Sequence, residues 1–372
     1  MALPPYPAIR NARMDIETSP NSGNFVEITA RLQNIQFRYG ADNPEGILSI
    51  TAAGSMFART YDPNRELDPS NASSPHAAYL RPGTRIRIWS SGMLLRLGYI
   101  DTIEYDFKSK QGEISGSDSI ALMAAARLMP GYDTNPATPG NLKSRADYFI
   151  SEASLNIPTH VVGSDPPVTT ALPDEQSVLT QILTSALDVL YAAWIDRDGV
   201  LRFRSFGERN ETGLVFGGGG IPIENVRVVS SMQGIYSRVV AYDTGGTGYE
   251  VAEAGAVQRH GTIIFRREHP VYYPQDWAAA VVLDRSSAYR QFVVGKVRIQ
   301  TETQLNDLAW LGLGDKVQVW INSTSPTFSS WVWVAGLRFE ANIDSGWSLE
   351  FTASEPRYEF DYPPVMAETQ PT

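Results

Sequence analysis

Two carboxylates, Asp196 and Asp198, flank Arg197 in the stretch "IDRDG". A pair of acids on opposite sides of a glycosidic bond is the machinery of sugar hydrolysis, one protonating the leaving oxygen while the other activates water or attacks carbon. Beside Gly199 and between two apolar runs, the same residues serve better as turn formers, because aspartate readily bonds nearby backbone. Asp101 and Glu104 stand at odd spacing in a strand-like segment, which points them to opposite faces and keeps them from sharing a proton or a water. His76, His160, His260 and His269 form neither an i, i+4 pair nor HExxH, so no zinc centre is expected. There is no cysteine, which removes thiolate nucleophiles, disulfides and sulfur-ligated metals. The glycine runs "FGGGG" and "DTGGTG" lack the lysine and strand-to-helix setting of a phosphate loop and read as flexible loops. The second, continuing as "DTGGTGYEVAEAG", is a candidate assembly arm that orders on contact with a neighbour. Neither catalysis nor a cofactor is expected.

One recognition chemistry stays open. In "FSSWVWVAGLRF", Trp331 and Trp333 fall on one face of a strand and Val332 and Val334 on the other, so two indoles could stack on sugar rings. Core filling or a contact between subunits is the competing reading. The aromatic stretch "PVYYPQDW" is either an exposed recognition loop or a staple before a helix.

These residues need a large scaffold. A chain of 372 residues exceeds one hydrophobic core and predicts two or three domains. With 42% hydrophobic and 19% charged residues it folds rather than stays disordered. The net charge of −10 argues against gripping a phosphate backbone, which needs clustered Lys and Arg, and would suit a surface that DNA passes without sticking. No export signal or membrane anchor is readable, since no apolar run approaches the roughly 20 residues that span a bilayer.

Period-two alternation through Ile28, Ala30, Leu32, Ile35, Phe37 and Tyr39, then "GILSITAAGSMFA", "TRIRIW", "MLLRLGYIDTIEY" and "GEISGSDS", predicts antiparallel strands of a barrel or sandwich. A short helix capped by Asp118 and facing inward through Ile120, Met123, Ala124 and Leu128 closes this first domain, residues 1–128. Two helices follow, one with Leu142, Ala146, Phe149, Ile150 and Ala153 on a face, the other with Val178, Ile182, Ala186 and Leu187. With the hairpin "YAAWIDRDGVLRFRSF" they make an α+β middle domain over 129–226. A second β-barrel domain with a helix through "DWAAAVVLDRSSAYRQF" covers 227–358, and 359–372 is a tail. The fold class is therefore mainly β, two related barrels flanking a small α+β domain.

The relation between the barrels rests on a repeat. "LRPGTRIRIW" over "LGLGDKVQVW" sets Leu80 on Leu311, Gly83 on Gly314, Arg85 on Lys316, Ile86 and Ile88 on Val317 and Val319, and Trp89 on Trp320. Leu-x-x-Gly is an apolar anchor, a turn where glycine tolerates positive φ, and a strand with basic residues out and β-branched residues in. The match extends loosely, "LGYIDTIEYD" over "AGLRFEANID" and "GEISGSDS" over "GWSLEFTASE". Two like barrels per chain let three chains present six nearly equivalent modules, which adapts threefold to sixfold symmetry.

"LDPSNASSPHAAYLRPGTRIRIW", with the strands on either side of it, resembles the N-terminal region of minor tail proteins of long-tailed bacteriophages, especially those of actinobacteria. The matching positions are Asp68, Pro69, Asn71, Ser73, Ser74, Leu80, Pro82, Gly83, Gly98, Tyr99, Ile100, Asp101 and Asp118, and the close match covers residues 25–128. The resemblance implies a tail-tip or baseplate hub: a homotrimer in the virion, made in the host cytoplasm. Its implied partners are the tail tube, the distal tail protein, the tape-measure protein and distal fibre or tip proteins, with DNA passing through unbound. The sequence departs from the pattern in having no long extension after "YPPVMAETQPT", so no appended host-binding or wall-degrading domain is expected. A carbohydrate- or receptor-binding β protein at the tail tip is the alternative. Asp68 and Asn71 are suited to Asx turns that would pin the loop as a contact surface.

Overall fold

The structure, a computed structural model, describes residues 11–28, 30–40, 53–128, 140–168, 176–205, 210–231, 235–243, 245–267, 274–285, 290–321 and 328–354. The connector after Leu128, the aromatic stretch before Pro274, His269 and the tail 359–372 lie outside them. The first region carries strands β1 (Ala12–Glu17), β2 (Phe25–Ile28), β3 (Arg31–Gly40), β4 (Ser55–Tyr61), β5 (Arg85–Ser90), β6 (Met93–Asp106) and β7 (Gln111–Ser117), then helix α1 (Ser119–Ala125). Next come α2 (Leu142–Glu152), β8 (Thr159–Val161), α3 (Val178–Asp188), β9 (Tyr191–Ile195) and β10 (Leu201–Ser205). The last region holds β11 (Asn210–Gly217), β12 (Ile223–Ser231), β13 (Arg238–Tyr242), β14 (Gly248–Ala252), α4 (Ala254–His260), β15 (Ile264–Arg266) and α5 (Pro274–Arg285). It ends with β16 (Arg290–Arg298), α6 (Glu302–Ala309), β17 (Asp315–Ile321), β18 (Phe328–Asn342) and β19 (Gly346–Ser354).

Thirteen strands join one sheet, running β12-β16-β19-β18-β3-β4-β7-β6-β5-β1-β2, with β17 bonded to β18 and β11 to β17. Its order repeats. The path β5-β6-β7-β4-β3 in the first half is matched by β17-β18-β19-β16-β12 in the second. The registers agree as well as the order. Arg85 pairs with Tyr99 and Tyr99 with Ser117, as Lys316 pairs with Trp333 and Trp333 with Ser354. Ser55 opposite Ser117 corresponds to Phe292 opposite Ser354, and Arg38 opposite Ser55 to Val229 opposite Phe292. The register shifts agree too: between Leu32 and Asn34 as between Ile223 and Asn225, and between Ile100 and Thr102 as between Val334 and Gly336. A bulge re-aims a strand, so placing it alike curves both halves alike.

The halves differ at their outer edges. β1 runs antiparallel to β5, whereas β11 runs parallel to β17. Neither half closes on itself by strand pairing among the described residues. In place of two closed barrels, the halves are joined into one sheet where β3 pairs with β18. Their shared core includes Ile35, Phe37, Ile86, Ile114, Val317, Phe339, Trp347 and Phe351.

The middle segment packs α1, α2 and α3 against the sheet β8-β10-β9 around Ile120, Phe149, Ile182 and Phe203. Predicted facing residues Leu142, Ala146, Phe149, Ile150, Val178, Ile182 and Ala186 are buried there, while Ala124 is exposed. Asp118 caps α1 by accepting from the Ile120 N–H, but α1 contributes to this middle core. The large sheet resumes at Asn210, since β11 and β12 pair with β17 and β16. A further sheet, β14-β13-β15, packs on α5 through Val239, Ala241, Trp277 and Val281. It includes the segment read as a flexible arm. The strands Arg238–Tyr242 and Gly248–Ala252 instead form a hairpin, with Asp243 accepting from the Gly245 and Thr247 N–H groups at 2.9 and 2.8 Å. "FGGGG" is likewise a tight turn, with Gly217, Gly218 and Gly219 at positive φ. Among the described residues no helix is long and apolar enough to cross a membrane.

Candidate functional site

The repeated turn and strand form the most specific feature. Leu80 and Leu311 are buried anchors, and Gly83 and Gly314 take φ of 85° and 81° with open space where a Cβ would sit. Each glycine N–H donates to the carbonyl just before the matched bulge: Gly83 to Ile100 at 2.7 Å, Gly314 to Val334 at 2.8 Å. The turn therefore locks onto the next strand of its own meander. Pro82 is exposed beside Gly83. Asp101 is the bulge residue and accepts from the Ser117 hydroxyl at 3.1 Å. Because the bulge interrupts alternation there, Asp101 and Glu104 are both exposed, which corrects the simple opposite-face expectation. The register also corrects the loose extension of the repeat. Leu97 matches Trp331, and the counterpart of Ala335 is Asp101. Gly98 matches Val332; it is glycine because a Cβ would lie 2.3 Å from Met56 Sδ and 2.8 Å from the Ser117 carbonyl oxygen.

The outward faces of β5 and β17 carry matched charge. Arg85 ion-pairs with Glu17 on β1, and Lys316 with Glu211 on β11 at 2.9 Å. Burial works against the Glu17 carboxylate, yet hydrogen bonds from Arg85 and the Gly23 N–H hold it below the usual range. Around the first pair, Arg87 stacks over Phe25 at 3.6 Å and Arg13 over Trp89 at 5.0 Å. Around the second, Lys316 lies 4.9 Å from the Trp331 ring, and Trp320 covers Gly218, where a Cβ would meet its ring at 2.3 Å. The twin-tryptophan platform does not form. Trp331 is 39% exposed but Trp333 only 8%, while Val332 and Val334 face the shared core, so one indole at most could meet a sugar.

The loop from Asp62 to Leu80 is held by its own side chains. Asp62 accepts from the Glu66 and Leu67 N–H groups at 2.9 and 2.7 Å. Asp68 accepts from the Ser70 N–H and hydroxyl at 2.8 and 2.7 Å and ion-pairs with Arg65; these partners, outweighing burial, hold its carboxylate below the ordinary range. Asn71 Oδ1 accepts from the Ser73 N–H at 3.1 Å, and the Ser74 hydroxyl donates to the Glu66 carbonyl at 2.6 Å. These are the two Asx turns suggested by residue type. His76 is buried with Nε2 3.7 Å from Glu66, and burial lowers its pKa.

Asp196 forms a turn and not a catalytic dyad. Its Oδ1 accepts from the Asp198 and Val200 N–H groups at 3.0 and 2.9 Å, and its Oδ2 from Arg202 at 2.7 Å. Arg197 beside it stacks 3.3 Å from the Trp310 ring centroid. Among the described residues no group of three His, Asp or Glu could hold a metal.

A buried knot ties this hairpin to both halves. Arg96 on β6 is fully buried; it bonds Asp118 Oδ2 at 2.6 Å and the Ile195 and Asp196 carbonyls at 3.0 and 3.1 Å, and its guanidinium lies 4.8 Å from the Tyr39 ring. Tyr39 on β3 in turn donates to the Leu311 carbonyl at 2.6 Å. Arg204 on β10 pairs with the buried Asp315 at 2.5 Å. The legible signal was Arg96 itself. A charge inside the apolar run "MLLRLGY" demands a buried partner.

Neither a family model nor a curated protein matches the sequence. Solved structures do match the fold. A tail protein from Neisseria meningitidis superposes with TM-score 0.64 at 14% identity, covering 93% of this chain and 97% of that one. The 43 kDa tail protein of prophage MuSo2 from Shewanella oneidensis gives 0.63 at 13% identity, covering 93% and 99%. The chain has the fold of phage tail proteins. A component of the Escherichia coli type VI secretion system, described as structurally similar to T4 phage tail proteins, also matches, with TM-score 0.50 at 12% identity over 94% and 78% of the two chains. The tail-protein fold thus extends well beyond residues 25–128, across the middle segment and both sheet halves.

Proposed function

We propose that the chain is a structural hub of a phage tail tip. Three copies form a ring that joins the sixfold tail tube and distal tail ring to threefold distal components, around a channel for DNA. The observation that carries this reading is the duplication of strand order, register and bulges within one chain. Two like halves per chain make three chains a sixfold object, and the related barrels expected from sequence would be completed by neighbours. The mechanism is geometric. The pinned loop at Asp68 and Asn71, the turns at Gly83 and Gly314 and the charged outer faces of β5 and β17 offer rigid contacts to the tube, distal tail and tape-measure proteins. A net charge of −10 leaves the ring without the cationic excess that would hold passing DNA.

The test is the mass of the purified chain by light scattering together with an image of the native particle. A homotrimer and a ring at the tail tip are expected. A monomer at high concentration, with no ring in the particle, overturns the reading.

A further inference from the structure

Carrying the register correspondence around the sheet shows what each half lacks. Inside the chain, β3 of the first half pairs with the outer stretch of β18 in the second, Arg38 opposite Arg338, Phe37 opposite Phe339 and Gln36 opposite Glu340. The stretch of β18 involved begins at Gly336, after the bulge, where β17 no longer accompanies it. This contact is heterologous: an edge of one type meets an edge of another. The counterpart of β3 is β12, which among the described residues pairs only with β16 and ends the sheet. The counterpart of the outer stretch of β18 is Thr102–Asp106 of β6. It pairs with β7 on one side and, among the described residues, has no strand on the other, because β5 stops at the residue opposite Tyr99. Among the described residues each chain is thus left with one unpaired edge of each kind.

We propose that β12 of one copy pairs antiparallel with Thr102–Asp106 of the next, repeating between chains the β3·β18 contact within a chain. The translated register sets Val229 opposite Glu104, Val228 opposite Tyr105 and Arg227 opposite Asp106. The chemistry on the two edges agrees with it. Val228, in the position of the buried Phe37, is 46% exposed in the isolated chain and gains an aromatic partner. Exposed Arg227 meets exposed Asp106, opposite in sign. Phe107, 63% exposed just past β6, is brought towards Val226. Unpaired strand edges are templates for such addition. The pairing propagates head to tail and closes when the rotation between halves divides the circle. The number of copies rests on the hub reading; the seam itself rests on the register.

The chain has no cysteine, so engineered pairs report cleanly. Val228→Cys with Tyr105→Cys, treated with a short thiol-to-thiol crosslinker, is expected to yield covalent dimers and trimers. Val228→Cys with Thr102→Cys, displaced along the strand by about 10 Å, and either single variant are expected not to. Arg227→Glu is expected to weaken association on the order of tenfold, and Asp106→Lys in the same chain to restore it. Val228, Thr102, Arg227 and Asp106 are exposed, whereas Tyr105 is half-buried and donates to the Asp62 carbonyl at 2.7 Å, so unchanged thermal unfolding of each variant is required to show that the fold persists. A trimer that fails to crosslink in register overturns the seam and leaves the hub reading standing. A chain that is monomeric in solution and in the particle overturns both.

Discussion

Arg96 and Asp118 meet at 2.6 Å with neither side chain reaching solvent. The pair joins a central strand of the first half to the cap of α1, and the remaining Arg96 hydrogen bonds reach the β9–β10 hairpin. Arg96→Leu strands a carboxylate in the interior and is expected to destabilise the chain by about 3–5 kcal/mol in denaturant unfolding. Adding Asp118→Asn removes the stranded charge while keeping a capping oxygen, so part of that loss is expected to return.

Gly83→Ala and Gly314→Ala are expected to cost similar amounts, about 1–2 kcal/mol each, because only the left-handed backbone opposes them and no neighbour crowds the new Cβ. Equal shifts in chemical unfolding midpoint check this. A much larger effect at one glycine would show that the two turns are not energetically equivalent.

Trp333→Ala empties a packed site and is expected to destabilise by about 3–5 kcal/mol, whereas Trp331→Ala, on the open face, is expected to stay under about 1 kcal/mol. Binding of the isolated chain to cell-wall glycans is expected to be indifferent to Trp331→Ala. Tryptophan-dependent binding would revive the carbohydrate reading.

Acid should loosen the first half. Asp68 and Glu17 both have carboxylate pKa values held low in the folded chain. Each contributes stability that is present above its unfolded value near 4 and is lost as pH falls through the depressed folded value. Unfolding midpoints followed from about pH 6 down to about pH 3 are expected to fall, and less steeply in Asp68→Asn.

Much of this was legible in sequence, and the failures have physical reasons. Period-two alternation exposed the strands because each sheet face is buried on one side only, as Ile86 and Ile88 against Arg85 and Arg87 show. The helices α2 and α3 announced themselves by apolar spacing. The repeat was readable at Leu80–Trp89 and Leu311–Trp320, where a turn fixes residue type, and was misaligned beyond, where packing alone selects side chains and Asp101 stands in for Ala335. The pairing of β3 with β18 joins residues roughly 300 positions apart, and no local propensity encodes that. Glycines misled at Gly218 and Gly246, since positive φ serves a tight turn as well as it serves a flexible loop.

The β3·β18 joint and the two spare edges have different lives. The joint forms once, within a single polypeptide, and is lined by stacked Phe37 and Phe339. The spare edges must first survive alone in water, and they carry Arg227, Glu104 and Asp106 where an uncharged strand would invite indiscriminate stacking. Arg338 and Glu340 stand at the matching places in the joint, so charge is common to both kinds of edge, and what sets the joint apart is the ring stack that covalent linkage brings together without any encounter between molecules.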